Sequence, residues 1–212
     1  MRNSSKMPKF LVAGLLAGMV ASCGPLISFG GDSEPNETYG LRYQAQGAAE
    51  YPVGPIVYVD SPQMAEGLDG HNVTVVMQSG RRTVLERAAW STHLSDLIRD
   101  YVAQSIGAQS GANMIGEGGL DISAGCRLGL KVWSFEFVPG ETVAEDGVSV
   151  VLQFSLVRIS DNQLLSHPTF AASVEVDSKS VGGVMGGFSK AMDRAASEYG
   201  GWFRERMGQC SR

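Results

Sequence analysis

Residues 148–156 read VSVVLQFSL and residues 170–176 read FAASVEV, with the turn Ser160-Asp161-Asn162 between them. In the first run Val148, Val150, Leu152, Phe154 and Leu156 alternate with Ser149, Gln153 and Ser155. In the second Phe170, Ala172, Val174 and Val176 alternate with Ser173, Glu175 and Asp177. Successive side chains on a strand point to opposite faces, so each run predicts a strand with one face buried and the other largely polar. Asp and Asn hydrogen-bond their own backbone and favour turns, which makes the two runs a hairpin.

Outward from the hairpin, Leu128 to Val138 reads as a long preceding strand. Behind it, Val184, Met185, Phe188, Met192, Ala195, Ala196, Tyr199 and Phe203 recur at helical spacing and predict an amphipathic helix, which Gly200-Gly201 kinks or ends. The first half repeats this order less clearly. Ile56 to Val59 reads as a buried strand, and Val73 to Met77 pairs with Arg82 to Glu86 across Ser79-Gly80. Leu94, Leu97, Ile98, Tyr101, Val102 and Ile106 predict a helix over 92–106 with Ser91 as N-cap. Residues 107–125 hold six glycines and read as a mobile connection. Strands followed by a helix, twice over, predict an α+β fold: one domain in which two amphipathic helices pack on a mixed β-sheet.

The start of the chain sets its location. Arg2, Lys6 and Lys9, with no acidic residue, precede an uninterrupted apolar run from Phe10 to Ala21. That run is shorter than the about 20 residues a spanning helix needs. Its charged start, apolar middle and small-residue end are those of a secretory signal peptide. Val20-Ala21-Ser22-Cys23 closes it and resembles the bacterial lipobox, in which the chain is cut before the cysteine and the cysteine is acylated; the alternative is an ordinary signal peptide that happens to hold a cysteine. Residues 1–22 are then a lipoprotein signal peptide. Cys23 is the lipidation site, and its covalent acyl and diacylglycerol groups stand in place of any cofactor. Gly24, where an aspartate would retain a lipoprotein at the inner membrane, favours the periplasmic face of the outer membrane of a Gram-negative bacterium. Residues 23–38 form the lipidated N-terminus and a flexible tether rich in Gly, Pro, Ser and acidic residues, with a reach of roughly 50 Å when extended. The domain occupies residues 39–212, starting near Tyr39-Gly40-Leu41.

Charge and cysteines narrow the partners. The chain carries 17 Lys+Arg and 22 Asp+Glu, and without residues 1–22 it keeps 14 basic and 22 acidic residues, a net charge of −8. A basic face is needed to neutralise phosphates, so nucleic acid is excluded as a partner. Cys126 and Cys210 remain after lipidation. An even count in an oxidising compartment points to a disulfide; the alternative is two free thiols. No C-x-x-C or paired histidine accompanies them, so no metal site is expected.

Motifs for chemistry fail on inspection. Gly182-Gly183-Val184-Met185-Gly186-Gly187-Phe188-Ser189-Lys190 opens a helix, but Phe188 stands where a phosphate loop needs Lys, and close backbone packing is the better reading. Gly187-Phe188-Ser189-Lys190-Ala191 lacks the last glycine of a nucleophile elbow. His71, His93 and His167 lie far apart in sequence, in a turn, at a helix start and at a strand end, and read as surface or cap residues. Glu141, Glu145 and Asp146 read as a solvated turn. No catalytic residues are assigned. Trp133, Phe135 and Phe137 are the one pattern with binding promise: period-two spacing places all three on one sheet face, either as a contact for a partner or lipid or packed beneath a helix.

The order and spacing of several features carry a resemblance. These are the lipobox, the Y-x-L after a tether, Ser61-Pro62-Gln63-Met64-Ala65 after the first strand, and Leu68-Asp69. A hairpin, Ala89-Trp90 opening a helix, the strand from Leu128 to Phe137, and an Ala-rich last helix with Trp202 complete it. Together they resemble the ABC-type transport auxiliary lipoproteins, from Tyr39 to about Met207. The polar stretch between Leu68 and Val73, and the two domain cysteines, depart from that pattern. The resemblance implies a non-enzymatic docking component for an MCE-domain protein of an ABC lipid transporter, with self-association to match a ring-shaped partner. Against it stand a structural envelope lipoprotein that helps assemble an outer-membrane machine, and a periplasmic hydrolase.

Overall fold

The computed structural model describes residues 37–44, 54–116, 122–142 and 145–211. The signal peptide, Cys23 and the tether up to residue 36 lie outside the described residues. In chain order the elements are β1 (Glu37–Tyr39), β2 (Ile56–Val59), β3 (Gln63–Met64), β4 (Asn72–Val76), β5 (Arg82–Trp90), α1 (Leu94–Ser110), β6 (Asn113–Ile115), β7 (Cys126–Val138), β8 (Gly147–Arg158), β9 (Gln163–Ser166), β10 (Thr169–Glu175) and α2 (Val181–Arg206), followed by a 3-10 turn at Met207–Cys210.

The hairpin that the alternation predicts forms one side of a mixed ten-stranded sheet, with β8 inside and β9 and β10 outermost. β8 pairs antiparallel with β7 along its whole length, from Cys126↔Arg158 to Val138↔Gly147. The other edge of β7 is shared end to end by three short parallel strands: β2 at Cys126–Leu128, β3 at Lys131 and Val132, and β4 at Phe137. β6 extends the sheet beyond β2, while β5 and then β1 extend it beyond β4. On the far side β8 carries β9 and β10. The expected order of strands and then a helix, twice over, is the order observed, and the fold is α+β.

Both helices join one core with the inward-facing strand residues. Val148, Val150, Leu152, Phe154 and Leu156 are fully buried. Burying each such side chain stabilises by about 1.5–3 kcal/mol. Phe135 of β7 stacks on Phe188 of α2 at 4.8 Å, and Trp90 of β5 meets both edge-on at 5.7 and 5.3 Å. Between the helices, the Tyr101 hydroxyl donates to Asp193 Oδ1 at 2.5 Å, and Tyr199 shares a hydrogen bond with Ser105 at 2.6 Å. Burial is the main cause that pushes both phenols above their ordinary range, reinforced at Tyr101 by the Asp193 carboxylate and opposed at Tyr199 by the Ser105 hydroxyl.

Several boundaries differ from expectation for physical reasons. β1 starts at Glu37, ahead of the Y-x-L pattern, because Glu37, Thr38 and Tyr39 pair in parallel with Ala88, Ala89 and Trp90. Ala89 and Trp90 therefore end a strand rather than open a helix. The helix begins at Leu94, and Ser91 does not cap it. The His93 side chain at the N-cap position makes no cap bond either. Asp69, distant in sequence, accepts from Ser95 N at 3.3 Å and Gly70 N at 3.0 Å. Burial would raise the Asp69 carboxyl, but the bonds from Ser95 and Gly70 and the neighbouring His93 hold it below the usual carboxylate range.

α1 continues through Gly107 to Ser110 and stops where Gly111 turns left-handed at φ 72°. Residues 107–116 are thus helix, turn and β6 rather than a mobile connection. α2 also runs unbroken through Gly200-Gly201. A Cβ at Gly200 would lie 2.1 Å from Gln109 Oε1, so glycine lets the helices approach and lets Gln109 Nε2 donate to Ala196 O at 3.0 Å. Asp146 is wholly buried, not part of a solvated turn: it accepts from Gly140 N at 2.8 Å and meets Lys179 Nζ at 3.4 Å, tying the β7–β8 connection to the entry of α2.

Candidate functional site

The sheet face turned away from the helices holds the best candidate for a binding surface. β7 starts with even-numbered residues inward: Cys126, Leu128, Leu130 and Val132 are buried. The ladder then skips from Val132↔Leu152 to Ser134↔Val151, leaving Trp133 as an extra, unopposed residue. Such a bulge re-aims side chains. Beyond it the parity reverses, so that Phe135 and Phe137 turn inward to the helices. Trp133, Phe135 and Phe137 therefore do not share a face, which corrects the period-two reading. Phe135 and Phe137 are core, and Trp133 stands 46% exposed on the open side. A bulge adds one residue to a strict period of two, and nothing in residues 128–138 marks where.

The exposed indole is held in one orientation. Lys131 Nζ lies 3.6 Å from the ring centroid. Trp133 Nε1 donates to Gln153 Oε1 at 3.2 Å, and Gln153 Nε2 donates to Thr169 Oγ1 at 3.2 Å. One step along the ladder Ser155 Oγ shares a hydrogen bond with His167 Nδ1 at 2.8 Å. On the other side Arg127 Nε donates to both Asp60 oxygens at 2.7 and 2.8 Å. Toward the β8–β9 turn the same face ends in exposed Ile159 and Leu164. An aromatic anchor with pre-ordered polar neighbours is the make-up of a protein contact site, where Trp and Arg carry most of the binding energy.

The arrangement suits binding better than reaction. Among the described residues no carboxylate orients His167, and Ser155 lies on an open sheet face without enclosing walls. The histidines are not all apart, however. His71 and His93 come within 5.0 Å ring to ring beside Asp69, because β4 and the start of α1 converge there. Among the described residues no group of three His, Cys, Asp or Glu could hold a metal.

Cys126 and Cys210 are joined by a disulfide with Cα atoms 5.1 Å apart. It fastens the turn after α2 to the first residue of β7, and both residues are buried. A Cβ on Gly125 would lie 1.8 Å from Cys210 O, so only glycine fits beside the bridge. Among the described residues no helix is long and apolar enough to cross a membrane.

Comparison with known proteins adds three findings. A family model described as the ABC-type transport auxiliary lipoprotein component matches residues 39–199. The crystal structure of a Xanthomonas campestris protein of the DUF330 family is similar at a TM-score of 0.70 and 20% identity, over 82% of this chain and 97% of that one. That of an uncharacterized protein is similar at a TM-score of 0.64 and 12% identity, over 80% of this chain and 99% of that one. At these identities the two structures speak for the fold alone. No curated protein matches the chain.

Proposed function

The chain belongs to the family of ABC-type transport auxiliary lipoprotein components, and from that membership we propose that it is a non-enzymatic docking component of an MCE-type lipid transporter, anchored at the periplasmic face of the outer membrane. The family match over residues 39–199 carries this reading. The Val20-Ala21-Ser22-Cys23 run supports the anchor. Each buried CH2 contributes about 0.8 kcal/mol, so the several acyl chains on Cys23 make attachment effectively permanent. The lipid fixes height, the tether gives reach, and the open sheet face around Trp133 receives the periplasmic end of the MCE protein. A rigid indole needs little further ordering on contact, which favours it as an anchor.

Crosslinking in intact cells, followed by mass spectrometry of the adducts, tests the reading, with Cys23→Ala as the unanchored control. An MCE-domain protein recovered with the wild type, and lost with the control, is the expected outcome. Recovery of outer-membrane assembly factors alone would overturn it in favour of a structural envelope lipoprotein.

A further inference from the structure

Two cavities lie end to end between α2 and residues 39–44, on the opposite side of the molecule from Trp133. Gly40 and Ser189 line both, so they form one groove. The smaller, about 200 Å³, is bounded by Leu41, Trp90, Gly182, Met185 and Gly186. The larger, about 780 Å³, is bounded by Arg42, Gln109, Asp193 and Ser197. Apolar side chains and glycines thus border one end alongside polar atoms, and the other end carries both signs of charge.

The four glycines at the start of α2 divide between two tasks. A Cβ on Gly183 would clash with Ser178 at 2.4 Å, and one on Gly187 would clash with Val176 at 2.7 Å, so these two close the helix against its surroundings. A Cβ on Gly182 or Gly186 would meet no atom of the described residues within 4 Å. Glycine inside a helix is destabilising relative to alanine. Gly182 and Gly186 bear that cost with no atom of the described residues within 4 Å of a Cβ, and they border the smaller end of the groove.

An independent observation comes from Trp90. It lines that same end, is 1% exposed, and its Nε1 has no hydrogen-bond partner among the described residues. Buried donors are nearly always satisfied, so this one calls for an acceptor from outside the described residues. At the charged end Asp193 spends Oδ1 on Tyr101, while Oδ2 has no partner among the described residues, and exposed Arg42 lines the same cavity. From Gly182 to Asp193 the helix rises by about 17 Å at 1.5 Å per residue.

We infer that this groove binds a zwitterionic phospholipid-type amphiphile: its phosphate at Arg42, its ammonium at Asp193, an ester carbonyl accepting from Trp90 Nε1, and an acyl chain along Gly182 and Gly186. The inference goes beyond the docking reading and does not need it, since a ligand held by this domain alone is detected without any partner.

The test titrates the purified, lipidated full chain in mild detergent with palmitoyl-lysophosphatidylethanolamine and counts bound lipid by native mass spectrometry. The wild type retains one molecule per chain. Gly186→Leu fills the groove and weakens retention about tenfold or more, a tenfold change being 1.4 kcal/mol. Its thermal midpoint stays at or above that of the wild type, because a half-buried helical glycine whose Cβ position meets no described atom has been replaced by a better helix former. Gly201→Leu, at another helical position where a Cβ meets no atom of the described residues within 4 Å and outside the groove, retains lipid like the wild type. Arg42→Ala weakens retention of the phospholipid but not of uncharged monopalmitoylglycerol. No saturable binding by the wild type, equal binding by Gly186→Leu, or equal loss in Gly201→Leu would each overturn the inference. A segment of the chain itself filling the groove would show as the first of these.

Discussion

On the helix side of the β7–β8 ladder Val150, Leu152, Phe154 and Leu156 are fully buried, while on the other side their neighbours Gln153 and Ser155 hold Trp133 and His167 by single hydrogen bonds near the surface. The same two strands make both faces. The inner face is specified by volume and shape, so any loss of side chain leaves a cavity. The outer face is specified by polar geometry in water, contributes little to stability, and is free to be used for contact.

Breaking the inner face produces the largest effect. Phe188→Ala removes a ring stacked on Phe135 and set edge-on to Trp90, and destabilises by about 3–5 kcal/mol in denaturant unfolding. A cost near 1 kcal/mol would mean that the inner face relaxes as freely as the outer. Next comes the bridge at the edge of that face. Replacing Cys126 and Cys210 by Ser releases a closed loop with a sequence separation of 84 and costs about 4 kcal/mol in the chain-entropy model. Thermal melts of the double variant and of the reduced wild type check this, and both should fall together.

A third effect separates the faces by pH. The folded chain holds the Tyr101 and Tyr199 protons more tightly than the unfolded chain does. Their contribution is fully present below the ordinary tyrosine value of about 10 and is lost as pH rises beyond it. Tyr101→Phe flattens the decline of stability above pH about 10, measured by denaturant unfolding at stepped pH. An unchanged slope would mean that burial between the helices does not raise the phenol.

Smaller still is the remote cap. Asp69→Ala leaves Ser95 N without its acceptor and costs about 1 kcal/mol near neutral pH. Because the folded carboxyl is held low, the difference from wild type shrinks as pH falls below about 4. The smallest stability change belongs to Trp133→Ala, within about 0.5 kcal/mol of wild type, even though the same variant removes the proposed contact anchor. A large loss of stability there would show that the outer face is part of the fold rather than a surface kept for a partner.

How much was legible follows from what each pattern samples. Alternation in residues 148–156 and 170–176 and the 3.6-residue period after Val181 are local and repeated, so β8, β10 and α2 stand close to where they are read. The candidate site was half legible. Trp133 was singled out, but as one of three aromatics on a face. Register is a relation between two strands, and the unopposed residue in β7 is visible only against β8. The cap of α1 was missed for a like reason: Asp69 lies 24 residues before His93, and spacing along one helix carries no trace of it. Glu141, Glu145 and Asp146 look alike in sequence, yet only Asp146 is drawn inward, by Gly140 N and Lys179.

The amino-acid order alone determined the class of the fold, the order of its longer strands and its two helices, and the family to which it belongs, because apolar period and turn chemistry act over a few residues; the short strands β3, β6 and β9 carry too few residues to show a period. Tertiary structure decided which face Trp133 occupies, which carboxylate caps α1, that α1 and α2 run past Gly107 and Gly200, and that Gly182 and Gly186 border open space while Gly183 and Gly187 do not. Those outcomes depend on packing between segments far apart in the chain, where a one-residue shift of register or one close backbone contact outweighs any local preference.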